Sequence, residues 1–245
     1  MSVSAALIAI ALALAAAAPA SAVEVSLEVE PAAGVRLGST TTMSGRATDA
    51  GAPLANRVVR LEVRRHPFKR AWKRRASATT AADGRYAFAP KLDRNHRVRV
   101  RLEAVPPTSP YELPKPDSLS RRRTAYVLPA FTLAFDQRGA RVLRLRQTYT
   151  VPRDAKLSAP TRFYVGPCRP GKGGQCTGTR ARFRAAAETA RVRAGRYLAK
   201  AKVRIPKSYR GRFQYVSCFV YSPGSGMGNP DQRCPKRYAR LRQSP

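Results

Sequence analysis

The feature that most constrains this 245-residue chain is an alternation of aliphatic and basic residues between His96 and Ala104. In an extended strand, every second side chain points to the same face. The alternation therefore predicts a strand that buries its aliphatic residues and presents Arg97, Arg99 and Arg101 to solvent. One face of such a strand packs into a hydrophobic core, and the other presents positive charge to solvent.

The same period of two recurs along most of the chain and predicts an all-β protein with about seven short strands in its second half. We interpret residues 23–129 as a first β-sandwich domain with a Pro-rich loop at 105–122, and residues 130–245 as a second β-sandwich. The loop is inferred from prolines at 106, 107, 110, 114 and 116, which disfavour regular strand pairing. A short Ala-rich helix within 185–194 is an alternative that we weigh and do not favour.

Residues 1–22 have the form of a signal peptide. Ala5 to Ala18 form an uninterrupted apolar run, and small residues precede a cleavage point that we place after Ala22. No second apolar run follows, so we expect a secreted or cell-envelope protein without a transmembrane span after cleavage. Because Lys and Arg are missing before the apolar run, an uncleaved N-terminal anchor is the alternative.

Residues of about 24–104 resemble bacterial Ig-like and carboxypeptidase-regulatory-like (transthyretin-like) β-sandwich modules. The resemblance rests on the segments 44–49, 53–59 and 79–88, the last of which contains the turn pair Asp83-Gly84 and the core candidates Tyr86 and Phe88. It implies an Ig-like sandwich for this part of the chain and a non-catalytic accessory role with no fixed partner. With the second sandwich predicted from the strand pattern of residues 130–245, the expected fold is two tandem Ig-like β-sandwich domains. The basic insertion at 64–75 departs from the short turn of many such modules. The second half carries no resemblance specific enough to name.

All four cysteines lie in the second half, at Cys168, Cys176, Cys218 and Cys234. An even count in an exported protein, without closely spaced pairs, indicates disulfides. We expect Cys168 to pair with Cys176 across a hairpin base and Cys218 to pair with Cys234 across a Gly-rich loop, although three connectivities are possible. A zinc site is the alternative, but the spacings match no common ligand pattern.

The formal net charge of +33 is extreme and is divided unequally, at +11 for residues 23–129 and +22 for residues 130–245. Outward basic rows on neighbouring strands would crowd like charges unless an anion neutralises them. Arginine forks suit phosphate, sulfate and carboxylate groups. The candidate anion-binding residues are Arg64, Arg65, Arg70, Lys73, Arg74, Arg75, Arg144, Arg146, Arg180, Arg182, Arg184, Lys200, Lys202 and Arg204, and Phe68 and Trp72 are candidates for stacking.

The sequence offers little material for catalysis, and we expect no enzyme, cofactor or metal. Its two histidines, His66 and His96, lie among arginines and are interpreted as surface or turn residues. Ser225 lacks the Gly-x-Ser-x-Gly context of a hydrolase nucleophile. The alternating glycines around it are expected to serve a loop that needs positive φ angles, not a phosphate loop, because Pro230 follows where a helix should begin.

These observations favour a secreted, non-catalytic protein that binds an anionic polymer, such as a cell-wall polymer, an acidic polysaccharide or lipid headgroups. The alternative is a protein-interaction or adhesion module that uses the 64–75 hairpin and the 218–234 loop. Export from the cell argues against a nucleic-acid partner. A further alternative is that the basic rows are solvated faces that serve solubility alone.

Overall fold

The computed structural model describes residues 23–104, 117–138, 141–156, 162–167, 169–170, 176–177, 183–186, 188–205, 212–218, 225–231 and 236–240. The predicted signal segment and the Pro-rich stretch 105–116 lie outside this range. The described residues form β-strands and turns with no α-helix, which confirms the all-β fold class. None of them belongs to a helix long and apolar enough to cross a membrane.

Among the described residues, twelve strands precede Pro129. They are β1 (Val23–Val25), β2 (Glu28–Glu30), β3 (Val35–Arg36), β4 (Thr42–Asp49), β5 (Ala52–Pro53), β6 (Val58–Arg65), β7 (Lys73–Thr79), β8 (Arg85–Phe88), β9 (His96–Leu102), β10 (Ser118–Leu119), β11 (Arg123–Ala125) and β12 (Val127–Leu128). One sheet has the order β1-β4-β2, with β5 and β8 also paired to β4, and a second has the order β10-β9-β6-β7, with β11 also paired to β9.

A first hydrophobic core lies between these two sheets, an arrangement compatible with a β-sandwich. Strand β9 follows the predicted alternation, since Val98, Val100 and Leu102 are each at most 1% exposed. From the other sheet, Tyr86 and Phe88 are buried in the same core, as predicted from their shared parity. The alternation thus identifies the buried face of both β8 and β9.

In the described part of the chain, ten strands follow Pro129. They are β13 (Ala130–Arg138), β14 (Val142–Thr150), β15 (Arg162–Pro167), β16 (Arg169–Pro170), β17 (Cys176–Thr177), β18 (Phe183–Ala186), β19 (Glu188–Arg193), β20 (Arg196–Arg204), β21 (Arg212–Cys218) and β22 (Lys236–Arg240). They form two four-stranded antiparallel sheets, β13-β14-β20-β19 and β18-β15-β21-β22, and the short pair β16-β17. A second core contains inward residues of both larger sheets, such as Leu145 and Phe163.

One local expectation is wrong, and it concerns the extent of the Pro-rich loop. The predicted loop 105–122 contains the short strand β10, which pairs with β9. The Ala-rich stretch contains strand β19, which is the edge strand beside β20, and this agrees with our not favouring a helix there. Residues 123–128 form two strands, because β11 pairs antiparallel with β9 whereas β12 pairs parallel with β3.

A segment from the second half, Ser225 to Asn229, packs into the first core. Met227 is fully buried there, although Val127, the nearest other buried member of that core in sequence, lies 100 residues before it. Gly226 and Gly228 have φ angles of 65° and 90°, which confirms the expected need for positive φ. A Cβ atom at Gly226 would lie 2.7 Å from Nδ1 of His66, so a larger residue would not fit without displacing the imidazole.

Asn95 holds this segment in place with both ends of its side chain. Its Nδ2 donates to the Gly228 carbonyl at 2.8 Å, and its Oδ1 accepts from the Val127 backbone N–H at 2.8 Å. Its backbone N–H donates to the Gly226 carbonyl at 2.8 Å. Asn95 is only 1% exposed, so these bonds satisfy groups that would otherwise be buried without partners. We call Ser225 to Asn229 the inserted segment.

Candidate functional site

The outward face of the sheet β13-β14-β20-β19 carries a block of exposed cations. Arg144 and Arg146 extend from β14, and Lys200 and Lys202 extend from β20. Their neighbours of opposite parity lie in the second core, so the period of two turns all four charged side chains to solvent. We call these four residues the basic block. Arg204 is exposed two positions beyond it on β20.

The basic block places like charges directly opposite each other. In the register of β14 and β20, Arg144 lies opposite Lys202, and Arg146 lies opposite Lys200. Neighbouring strands are about 4.8 Å apart, and like charges in directly opposed positions destabilise a sheet. An anion placed over the block would relieve this repulsion.

Each of the two cross-strand cation pairs has a carboxylate beside it on one side only. Asp136 on β13 lies opposite Arg144, and Glu188 on β19 lies opposite Lys200. Arg146 instead has Ala134 on its other side. A surface groove of about 640 Å³ opens over these side chains. Cations therefore outnumber acids by two to one around the groove.

No ion pair found among the described residues includes a member of the basic block. The outward-facing Arg99 and Arg101 of β9, in contrast, are paired with carboxylates. Arg99 and Arg101 both donate to Glu62, at 2.6 Å and 3.0 Å, and Arg101 also donates to Asp117 at 2.6 Å. The hydrogen bond from Arg101 holds the pKa of Asp117 below its usual range. The basic face of the first half is thus partly neutralised from within the chain.

The two candidate stacking residues already face arginines of this protein. The guanidinium carbons of Arg64 and Arg99 lie 4.8 Å and 4.4 Å from the ring centroid of Trp72. The guanidinium carbon of Arg97 lies 4.9 Å from the centroid of Phe68. These cation–π contacts give both rings a role within the hairpin. Stacking on a bound sugar or base stays a prediction.

The other cations of the 64–75 hairpin divide into paired and exposed groups. Arg65 forms an ion pair with Asp93, and the neighbouring Arg94 donates to Asp154 at 2.5 Å. The hydrogen bond from Arg94 lowers the pKa of Asp154. The exposed group consists of Lys69, Arg70, Lys73, Arg74 and Arg75, of which Arg75 donates to the Lys91 carbonyl at 3.1 Å.

The expectation for His96 is wrong, because this residue is buried on β9 and only 6% exposed. Its Nδ1 lies 2.7 Å from the Arg94 carbonyl, and burial lowers its pKa. The parity of β9 explains the error, since position 96 shares a face with Val98. His66 lies in a turn as predicted, where it is half-buried against Gly226 of the inserted segment.

Several predicted site residues lie wholly or partly outside the described residues. Arg180, Arg182, Cys168 and Cys234 lie outside them entirely. For three others the structure describes the backbone position but not the side chain, and these are Cys176 on β17, Arg184 on β18 and Cys218 on β21. The proposed disulfides and the anion-binding role of this arginine row therefore stay predictions.

Sequence reasoning missed a second cationic groove on the same sheet. Arg153, Arg193 and Arg196 line a groove of about 580 Å³, together with hydroxyl-bearing residues of β13 and β14. Arg193 and Arg196 border the tight turn that joins β19 to β20, and Arg153 lies just beyond β14. Only Arg196 continues the period-two row of β20, so alternation could have identified that residue alone.

The sequence matches no protein-family model, and no curated protein sequence matches it. The candidate site is a sheet face on which cations lie directly opposite each other beneath a surface groove, and none of these cations belongs to an ion pair found within the described part of the chain.

Proposed function

We propose that this chain is a secreted or cell-envelope protein without catalytic activity that binds an anionic polymer through the basic block. The observation that carries the proposal is that the register of β14 and β20 places cations opposite each other in two rows, Arg144 with Lys202 and Arg146 with Lys200. Both rows lie on an exposed face, and none of the ion pairs among the described residues involves them. A polymer with several negative charges would engage both rows at once.

The distribution of charge supports assigning this role to the second half of the chain. Residues 130–245 carry 26 basic and only 4 acidic side chains. One of those acids, Asp154, is paired with Arg94 of the first half. In the first half, arginines such as Arg99 are paired with carboxylates of their own sheets. The second half thus has more cationic surface to offer a partner.

For residues of about 24–104, we propose an Ig-like or transthyretin-like module that supports the binding surface. Two antiparallel sheets around one core support this proposal, as does the tight turn at Asp83-Gly84, where Gly84 has a φ angle of 77°. In that role the module presents the second half outside the cell. The 64–75 hairpin would add a smaller exposed cationic surface.

Binding of the full chain to immobilised polyphosphate tests the proposal. The informative variant is Arg146→Gln with Lys202→Gln, which removes the two members of the block that have no carboxylate opposite in register. The matched control is Arg121→Gln with Arg122→Gln, which removes the same net charge from exposed positions in the first half. We expect the block variant to weaken binding by at least tenfold and the control to have little effect.

The two variants separate local binding from general attraction by net charge. An equal loss of binding in both would contradict the proposed site, because net charge would then account for retention. Wild-type protein that is not retained on polyphosphate at low salt would contradict polyanion binding itself. Circular dichroism of both variants checks that the β-structure is unchanged.

A further inference from the structure

The outward face of the sheet continues past the basic block into a neutral row. Thr132, Thr148, Leu198 and Ala190 lie opposite one another across the four strands in the order β13, β14, β20, β19. The side chains of this row are exposed or half-buried. Two hydroxyl groups on adjacent strands thus lie beside two apolar side chains. We call these four residues the neutral row.

Beyond the neutral row, the face becomes cationic again. Thr150 lies opposite Arg196, and Arg196 lies opposite Arg193. With Arg153 these two arginines line the groove of about 580 Å³, which also includes Thr132 and Thr148 of the neutral row. One surface therefore carries cations, then hydroxyl and apolar groups, then cations.

Successive cations are farther apart across the neutral row than within the basic block. Lys202 and Lys200 are two residues apart along β20, or about 7 Å, whereas Lys200 and Arg196 are four residues apart, or about 13 Å. A polymer with a charge on every unit would place an anion over the neutral row, where it would lose hydration without gaining a cation. A neutral sugar would instead meet hydroxyl groups that donate and accept hydrogen bonds, and an apolar surface for its C–H face.

From this pattern we infer that the polymer is an anionic polysaccharide in which neutral sugars separate the charged ones. The charged sugars would lie over the basic block and over the Arg193 and Arg196 groove, with a neutral sugar on Thr132 and Thr148. This inference depends on the proposed function, because it names the class of polymer for the same sheet face.

The test uses dye-labelled hyaluronan oligosaccharides, in which uronates alternate with neutral sugars, and dye-labelled polyphosphate with the same number of charges. Fluorescence anisotropy gives the affinity of the full chain for each. The variant Thr132→Val with Thr148→Val removes the two hydroxyl groups but keeps the β-branched shape that suits a strand. Thr79→Val, on the exposed side of β7 in the first half, is the matched control.

We expect the double valine variant to bind hyaluronan about tenfold more weakly, because two hydrogen bonds to the polymer are lost, and to bind polyphosphate as the wild type does. Thr79→Val should change neither affinity. An equal effect on both polymers, or no effect on either, would overturn the inference but leave polyanion binding intact. Wild-type protein that binds neither polymer would instead overturn the proposed function itself.

Discussion

Replacing Asn95 with alanine should destabilise the first core, because this side chain links that core to the inserted segment. The change removes the bond from Asn95 Nδ2 to the Gly228 carbonyl and the bond from the Val127 N–H to Asn95 Oδ1, both 2.8 Å long. The truncated site is buried, so the freed carbonyl and N–H lose their partners away from solvent.

The magnitude follows from those two groups. A buried donor or acceptor left without a partner costs about 1 to 3 kcal/mol, so we expect Asn95→Ala to lower the free energy of unfolding by about 2 to 6 kcal/mol. Met227→Ala tests the same contact through packing. Its side chain is fully buried, and its truncation should cost about 2 to 5 kcal/mol.

Urea unfolding followed by tryptophan fluorescence measures both effects, since Trp72 is the only tryptophan and lies in the first half of the chain. Ser77→Ala, at an exposed position on β7, is the control and should change stability by less than about 0.5 kcal/mol. The losses of stability caused by Asn95→Ala and Met227→Ala should also be non-additive in the double variant, because both changes detach the inserted segment. A loss below about 0.5 kcal/mol for Asn95→Ala would refute the proposed coupling between the two halves.

Three further predictions concern charge. Glu188→Gln should tighten polyphosphate binding severalfold in an anisotropy titration, because it removes the carboxylate opposite Lys200; weaker binding would contradict the geometry of the block. Glu62→Gln should lower the free energy of urea unfolding by about 1 to 3 kcal/mol, because Arg99, 13% exposed, loses its carboxylate partner; an unchanged midpoint would show that this pair contributes nothing. Burial lowers the pKa of His96, so the unfolded chain binds more protons than the folded chain, and the free energy of unfolding should fall as the pH drops below about 6.5. His96→Gln should reduce the dependence of this free energy on pH. An unchanged pH dependence would exclude His96 as its source.

The period of two was sufficient to predict the fold class and the buried face of most strands. Alternation along β9 identified its core residues, and alternation along β14 and β20 identified the basic block as outward-facing. These predictions succeeded because side-chain direction in a strand depends only on local geometry. Strand β19 was missed because its residues are mostly exposed and show no alternation between buried and exposed positions.

Contacts between distant residues were beyond the reach of local patterns. The bond between Asn95 and Gly228 joins residues 133 positions apart, and no periodicity indicates such a partner. The pairing of Arg99 with Glu62 depends on the register of β6 and β9, which the sequence does not specify. The neutral row likewise emerges only when the register aligns Thr132 with Thr148.

The salt dependence of polyphosphate binding tests the central claim most directly. For the full chain, the logarithm of the binding constant should fall linearly with the logarithm of salt concentration, and the slope should become shallower by about one for each phosphate-binding cation that is removed. We predict a slope shallower by about two for Arg146→Gln with Lys202→Gln, and an almost unchanged slope for Arg121→Gln with Arg122→Gln. A block variant with the wild-type slope would show that these two cations do not contact the polymer.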